Sequence, residues 1–204
     1  MIDIGWAEET ARTLLEETLP RRWAHTRGVA ATARTLAPIL GDETGLVTAA
    51  AWLHDVGYAP VLASSGSGFH PLDGARYLRD VQGAEAVLCR LVARHSCAMI
   101  EAAERGLAAD LTGEFKAAPR RLTDALIYCD MTTGPDGQRM RVERRLAEIR
   151  GRYGPGHVVS RTLTRSAPEL TAAVDRIAYK LARCASVAHP PRLVPVLVGG
   201  AQPM

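Results

Sequence analysis

Apolar positions recur every three or four residues along most of the chain, a spacing typical of amphipathic α-helices. One such stripe covers residues 6–15 and ends near Pro20. Because proline fits the first turn of a helix, a second helix is predicted to begin around Pro20 and to run to residue 40. Gly41 breaks this pattern.

The most apolar segment is ETGLVTAAAWLHDVGY, residues 43–58, which predicts a central helix ending at Gly57. The next stretch, residues 59–74, has no helical period and is rich in Gly and Ser. It predicts a loop, and a loop of this kind inside a compact domain is often part of a functional site. Helical spacing resumes from Pro71, and a further apolar helix is predicted to end near His95.

Three more helices are predicted in the second half of the chain. RRLTDALIYCD is an apolar helix that runs into a Thr/Gly/Pro/Asp loop, and RVERRLAEIRGRYG is a charged amphipathic helix. A final helix is expected from Pro168 to Ala185. The pattern therefore predicts one all-α bundle, in which the segments are an N-terminal helix (1–19), a core (20–135), C-terminal helices packed on it (136–185) and a Pro/Gly-rich tail (186–204).

Composition agrees with a globular helical domain, since 47% of the residues are hydrophobic and Ala, Leu and Arg predominate. The net charge of +3 comes mostly from scattered arginines, which disfavours a nucleic-acid partner. The four cysteines form no Cys-x-x-Cys pair and are expected to be free thiols. No segment resembles a signal peptide or a membrane span, so we expect a cytoplasmic protein without membrane association. A homodimer is left open.

Six residues stand where apolar helices give way to loops or face a helix interior. They are His25, His54, Asp55, His70, His95 and Asp130. A buried carboxylate is costly unless it is paired or binds a metal, and imidazole with carboxylate suits divalent transition ions. A single buried histidine is more often a satisfied core residue, and an aspartate can simply organise a turn. His157 and His189, each beside Gly or Pro, are assigned to that structural role. The residues alone predict a metal site.

The order of these residues resembles a known family. His25, then His54-Asp55, then Asp130 is similar to the H…HD…D signature of the HD-domain superfamily, over roughly residues 20 to 135. HPLDGA, with His70, resembles the HPxxGA segment of the HD-GYP and related dinuclear branches. VARHS, with His95, resembles a further histidine of those branches.

The resemblance implies that His25, His54, Asp55 and Asp130 hold one metal ion. Asp55 would bridge to a second ion bound by His70 and His95. The ions implied are divalent transition metals, with Fe or Mn favoured and Zn, Co or Ni left open.

The chain departs from the family pattern at a few positions. Tyr58 stands where many members have a phosphate-contacting lysine, and the GYP motif is missing, which weakens a cyclic-dinucleotide assignment. Arg139 occupies a place where related proteins carry a phosphate-contacting arginine, and Arg94 is a second candidate. Tyr58, Arg94 and Arg139 are therefore the candidate substrate-binding residues, although both arginines are equally explained as surface residues.

The function that the resemblance implies is hydrolysis of a phosphoester, with Asp55 and His54 as the catalytic pair. The expected substrate is a nucleotide or another small phosphorylated metabolite. Two other functions remain open on the same scaffold. One is a di-iron oxygenase of the inositol-oxygenase or phosphonate-oxygenase kind, which His70 and His95 do not distinguish from a hydrolase. The other is a non-catalytic ligand-sensing module, which the intact set of six residues disfavours.

Overall fold

The computed structural model describes residues 2–188, and its secondary structure there is helical apart from one isolated antiparallel bridge between Thr133 and Arg139. This confirms the all-α prediction. Short 3₁₀ turns lie at Gly41–Glu43, Val56–Tyr58 and His95–Cys97. The α-helices are α1 (Ile4–Leu15), α2 (Pro20–Arg34), α3 (Ala37–Leu40), α4 (Thr44–Leu53), α5 (Pro60–Ala63), α6 (His70–Asp80), α7 (Ala86–Arg94), α8 (Ala98–Glu104), α9 (Ala108–Glu114), α10 (Arg120–Met131), α11 (Val142–Tyr153) and α12 (Val158–Ala188).

The N-terminal helix α1 belongs to the main core. The Asp3 carboxylate caps α1 by accepting a hydrogen bond from the Trp6 backbone N–H at 3.0 Å. The helix buries Ala7, Ala11 and Leu15, which lie four residues apart on one face. Since two of these residues join the main hydrophobic cluster, the segment is part of the bundle.

The second predicted helix is divided in two. Helix α2 ends at Arg34, and the four-residue α3 follows after a turn. The cause is Pro38, which has no N–H to donate to the Arg34 carbonyl and therefore interrupts the helical hydrogen bonds. In the turn, the Thr35 N–H donates instead to the Thr32 carbonyl at 3.0 Å.

Helix α4 lies in the middle of the bundle. Every residue from Val47 to Leu53 is buried, and Trp52 stacks on Trp23 of α2 with ring centroids 5.4 Å apart. Because α4 is surrounded by α1, α2, α7 and α10, the two residues that follow it, His54 and Asp55, are delivered into the interior. The apolar sequence of α4 therefore determines where His54 and Asp55 lie.

The predicted Gly/Ser loop contains one short helix and a side-chain clamp. Pro60 opens α5 in the position where proline is tolerated. The buried Asp73 carboxylate then accepts hydrogen bonds from the Ser67 N–H at 2.7 Å and hydroxyl at 2.8 Å, and from the Phe69 N–H at 3.1 Å. These bonds tie the end of the loop to the first turn of α6, which begins with His70.

Helices α10, α11 and α12 enclose a second hydrophobic cluster. Its buried members are Ile127, Met131, Val142, Leu146, Leu163, Leu170, Ala173 and Val174. Helix α12 begins at Val158 rather than at Pro168, so the proline lies inside the helix. Burial of Leu163 and neighbouring positions keeps the preceding turns helical despite the hydrogen bond that Pro168 cannot make.

Helix α12 continues to Ala188, three residues into the predicted Pro/Gly-rich tail. The remaining tail, 189–204, and the predicted structural role of His189 lie outside the described residues. Within residues 2–188, no helix combines the length and the apolar character needed to cross a bilayer.

An ion-pair cluster joins α9 to α6, the helix that carries His70. The Arg76 guanidinium contacts Glu114, and Arg79 donates to the same carboxylate at 2.9 Å. The hydrogen bond from Arg76 has the largest effect on Glu114. Together with that from Arg79 it outweighs burial and lowers the pKa of Glu114 below its ordinary value of 4.5. A lowered pKa means that the stabilisation is complete above pH 4.5 and is lost as the pH falls through the folded-state pKa.

Glu114→Gln is therefore expected to lower the free energy of unfolding by about 1 kcal/mol at neutral pH. The difference from the unchanged protein should shrink in acid. Urea unfolding across a pH series measures it, with the exposed Glu17→Gln as the matched control. A deficit that is equally large in acid would contradict the assignment.

Candidate metal centre

The six predicted metal-binding residues meet in the interior as two adjoining groups. Within each group, one nitrogen or oxygen atom from every member lies within 4.8 Å of the others. All the members are buried except His70, which is half-buried. The first group is His25, His54 and Asp130, and the second is Asp55, His70 and His95.

Each side chain reaches this centre from its own helix or from a helix end. His25 lies in the middle of α2, on its buried face, and Asp130 lies in the last turn of α10. His54 and Asp55 follow α4, His70 is the first residue of α6, and His95 follows α7. Five helices therefore have to pack correctly before the centre exists.

Three of the histidines are oriented by the backbone. Their Nδ1 atoms lie next to carbonyl oxygens, which can only accept, so each Nδ1 carries the proton and donates it. In the neutral imidazole this leaves a lone pair on Nε2, the arrangement seen for metal-ligating histidines. The contacts are His25 Nδ1 to Gly134 O at 3.0 Å, His54 Nδ1 to Ala51 O at 2.8 Å and His95 Nδ1 to Val92 O at 2.7 Å.

The environment of His54 fits a metal ion. Its Nε2 atom is buried and has no hydrogen-bond partner among the described residues. A buried polar atom without a partner is costly, and a cation placed between the facing nitrogen and oxygen atoms removes that cost. The donor set of imidazole nitrogens and carboxylate oxygens, without cysteine, suits divalent transition ions.

Asp55 faces both groups. One of its carboxylate oxygens is 3.4 Å from His54 Nε2, and the other is 3.4 Å from His70 Nε2. Two oxygens directed at two sites are what a bridging carboxylate requires, and the bridging role stays a prediction. His70 Nε2 also lies 3.2 Å from His95 Nε2. Since neutral His95 has a lone pair there, a proton or a metal ion has to lie between the two rings.

Asp130 is held from two sides. One oxygen is 3.1 Å from His25 Nε2, and the other accepts a hydrogen bond from the Ser96 hydroxyl. Ser96 and Cys97 both have left-handed backbone conformations, with φ of 47° and 61°. Such conformations are uncommon for non-glycine residues and concentrate at functional sites. Here they turn the chain after His95 so that the Ser96 hydroxyl reaches Asp130.

The carboxylates of the centre are ionised at neutral pH. Burial alone would raise the pKa of Asp55, but the charges of Arg22 and His54 hold it well below its ordinary value. Burial likewise opposes ionisation of Asp130, yet the hydrogen bond and charge of His25 keep its pKa low. Burial lowers the pKa of His70 and of His95 and favours their neutral forms. The ionised carboxylates and the neutral forms of His70 and His95 are the protonation states that metal binding needs.

The pKa of His54 shifts in the opposite direction from those of His70 and His95. Burial acts to lower its pKa, but the nearby charge of Asp55 raises the pKa above the ordinary histidine value. The carboxylate of Asp55 therefore stabilises a positive charge at His54.

Three arginines beside the centre were not identified as candidates from the sequence. Arg22 donates to Asp55 and stacks on the Tyr58 ring, with its guanidinium carbon 3.6 Å from the ring centroid. Buried Arg145 places one guanidinium nitrogen 3.7 Å from Asp130 and lies beside His25. Arg152 lines the same cavity. Arg22 could have been found, because it is three residues before His25 and so lies on the same helix face.

The structure places only one of the three predicted substrate-binding residues at the centre. Tyr58 lines the cavity at the centre and stacks on His70, with centroids 3.8 Å apart. Neither Arg94 nor Arg139 lines that cavity. The Arg94 guanidinium donates to the Phe115 carbonyl at 2.6 and 2.9 Å.

Arg139 is held away from the centre in a similar manner. Its guanidinium donates to the hydroxyls of Thr32 at 3.0 Å, Thr132 at 2.7 Å and Tyr128 at 3.0 Å. The structure thus does not bring the two predicted arginines to the centre, because backbone and hydroxyl oxygens engage both of them. His157, given a structural role from the sequence, accepts a hydrogen bond from the Val159 N–H at 3.2 Å and stacks on Tyr153.

Comparison with known proteins gives one result. The family model described as HD domain matches residues 22–131, which is more than half of the chain and contains all six residues of the centre. No curated protein and no solved structure gave a significant match. The matched range begins at Arg22 and ends one residue after Asp130. On this match, and with the helical fold and the ordered histidines and aspartates described above, the chain belongs to the HD-domain family.

Proposed function

We propose that this protein is a metal-dependent hydrolase of phosphoesters that works through a dinuclear centre. The observation that carries the proposal is the pair of His/Asp groups joined by Asp55, whose two oxygens face one group each. Side chains so close together and so deeply buried are suited to hold two ions rather than one. We propose Fe or Mn as the ions, since nitrogen and oxygen ligands without thiolate suit them.

The ligands divide between the two ions in the proposed centre. His25, His54 and Asp130 would hold the first ion, His70 and His95 would hold the second, and Asp55 faces both groups. Two divalent ions, when bound, would supply the Lewis acidity that activates water and polarises a phosphoryl oxygen.

The rest of the site binds and orients the substrate. The guanidinium groups of Arg22, Arg145 and Arg152 neutralise phosphate charge, for which arginine is well suited because of its planar, forked donors. Tyr58, stacked between Arg22 and His70, holds both in place. In the reaction, the oxygen of a water attacks phosphorus, and the bond from phosphorus to the leaving oxygen breaks. The electron pair stays on the leaving oxygen, which takes up a proton.

The arginines also bear on the oxygenase alternative. A di-iron oxygenase would use the same six ligands, so the metal centre alone does not separate the two reactions. Three guanidinium groups at the cavity favour an anionic substrate, but an oxygenase can also act on an anion. The distinction therefore has to come from the dependence of turnover on dioxygen.

The experiment is a panel of phosphoesters assayed under air and under nitrogen, with protein purified without chelator and its metal content measured. We expect oxygen-independent release of phosphate or of a phosphorylated product, and loss of that activity after chelation. Turnover that requires dioxygen and releases no phosphate would establish the oxygenase instead. A metal-loaded protein that turns over no member of the panel under either atmosphere would contradict the hydrolase assignment and favour a ligand-sensing role.

A further inference from the structure

Two cavities meet at the metal centre and share one wall. The first cavity is lined by Asp55, His70, His95 and Asp130, among others. The second lies on the other side, against His25. The residues that line both cavities are Arg22, Arg145 and Arg152, here called the arginine wall.

The two cavities differ in size and therefore in what they can hold. The first has a volume of about 120 Å³, whereas the second has about 390 Å³. By this measure the first cavity, which contains the predicted metal ligands, offers less room than the second. The second lies within the usual range for small-molecule pockets and adds the apolar side chains of Leu19, Pro20 and Pro135. Since Arg22, Arg145 and Arg152 border both cavities, a substrate can extend along them from the first cavity into the second.

One donor of the arginine wall has no hydrogen-bond partner in the described part of the chain. Arg145 is buried, and its Nε–H has no hydrogen-bond partner among the described residues, although the group borders both cavities. An oxygen anion in either cavity would be attracted by the positive charge of this guanidinium group. The only carboxylates in ion-pair contact with the wall are Asp55, Asp130 and Glu148, as far as the described residues go.

Those carboxylates do not balance the positive charge of a loaded site. Asp55 and Asp130 are ligands in the proposed centre, so two divalent ions would share their negative charge with the wall. Three guanidinium groups and two divalent ions then face three carboxylates. A phosphate monoester brings only about two negative charges. A second phosphate group would bring the remaining charge closer to balance.

We propose, on the basis of the proposed hydrolase function, that the substrate carries at least two phosphate groups joined by an anhydride oxygen. The reacting phosphate occupies the first cavity, and the neighbouring phosphate binds the arginine wall. The rest of the molecule lies in the second cavity. One water is consumed: its oxygen bonds to the reacting phosphorus as the bond to the bridging oxygen breaks. That oxygen keeps the electron pair and leaves on the second phosphate, and a water proton passes to solvent or product.

The first test compares adenosine mono-, di- and triphosphate as substrates of the metal-loaded protein. The di- and triphosphate are expected to have kcat/KM values at least about tenfold above that of the monophosphate, because charged hydrogen bonds contribute at that scale. Hydrolysis of all three with equal kcat/KM would overturn the inference while leaving the hydrolase function intact. Hydrolysis of none would count against the proposed function, and the binding measurement below then decides the inference by itself.

The second test uses Arg152→Gln, because Arg152 borders both cavities but contacts no residue of the metal centre. It is expected to reduce the preference for diphosphate over monophosphate about tenfold. Arg150→Gln, an exposed arginine on the same helix, is the matched control and should leave the preference unchanged. Arg145→Lys, which keeps the charge but removes Nε, should also reduce the preference, and metal analysis shows whether that variant keeps its ions.

Calorimetry with inorganic pyrophosphate and inorganic phosphate supplies a readout that does not depend on turnover. The unchanged protein should bind pyrophosphate at least about tenfold more tightly than phosphate. Arg152→Gln should lose most of that difference, whereas Arg150→Gln should keep it. Equal affinities for the two anions, or an equal loss in both variants, would overturn the proposal.

Discussion

Asp55→Asn is expected to abolish the activity almost completely and to release at least one metal ion. Asparagine keeps the shape and one oxygen of the side chain but removes the negative charge that faces both His54 and His70. Loss of several kcal/mol of transition-state stabilisation corresponds to a fall in kcat of at least about 1000-fold. Phosphoester turnover and metal content per chain measure the two effects.

The matched control for this variant is Asp80→Asn. Asp80 is an exposed aspartate whose carboxylate contacts Arg79, remote from the centre. It should keep two ions and an unchanged kcat. Circular dichroism establishes that Asp55→Asn folds, since Arg22 loses its carboxylate partner in that variant. If Asp55→Asn bound two ions and retained activity within tenfold of the unchanged protein, Asp55 would not join the two groups.

Gly57→Ala is expected to destabilise the fold and to weaken the second ion site at the same time. A Cβ atom at Gly57 would lie 2.0 Å from the His70 carbonyl oxygen and 2.7 Å from the Gly74 backbone nitrogen. Because both are backbone atoms, the first turn of α6 has to move, and His70 moves with it. Overpacking of this kind costs about 3 kcal/mol. For a chain of this size, Tm should fall by roughly 6–12 °C.

Gly45→Ala is the control for Gly57→Ala. Gly45 lies inside α4, and a Cβ there would find its nearest contact at 3.9 Å, on the Ile4 side chain. Alanine should therefore be neutral or should stabilise the helix by about 0.5–1 kcal/mol. Thermal unfolding gives the stability of both variants, and calorimetric titration with Mn²⁺ gives the affinity of the second site. An unchanged Tm in Gly57→Ala would mean that α6 does not pack on this turn as described.

The sequence was sufficient to predict the helical fold and the six side chains that the structure brings together. His54 and Asp55 follow the most apolar helix, and Asp130 lies at the end of another, so burial of these polar groups was predictable from the pattern around them. The HD-domain family was identified from their order, which the family match confirms. Side chains at helix ends are placed by the helices themselves, and helices are the elements that hydrophobic periodicity reveals best.

The arginines show where the sequence was insufficient. Arg94 precedes His95, but adjacent residues of a helix point about 100° apart, so the two side chains reach different surroundings. Arg145 and Arg152 lie on a helix whose pattern indicates only an amphipathic surface. Their approach to the centre depends on how α11 packs against α10 and α12, which no local pattern encodes. The start of α12 at Val158 was missed for a similar reason, because tertiary burial overrides the proline at 168.

The most direct test of the dinuclear centre is anomalous diffraction from crystals of the protein loaded with Mn²⁺, recorded above and below the manganese edge. We expect two peaks per chain, one among His25, His54 and Asp130 and one among His70 and His95, with Asp55 between them. A single peak, or peaks that none of these side chains contacts, would contradict the two-ion centre on which the proposed chemistry depends.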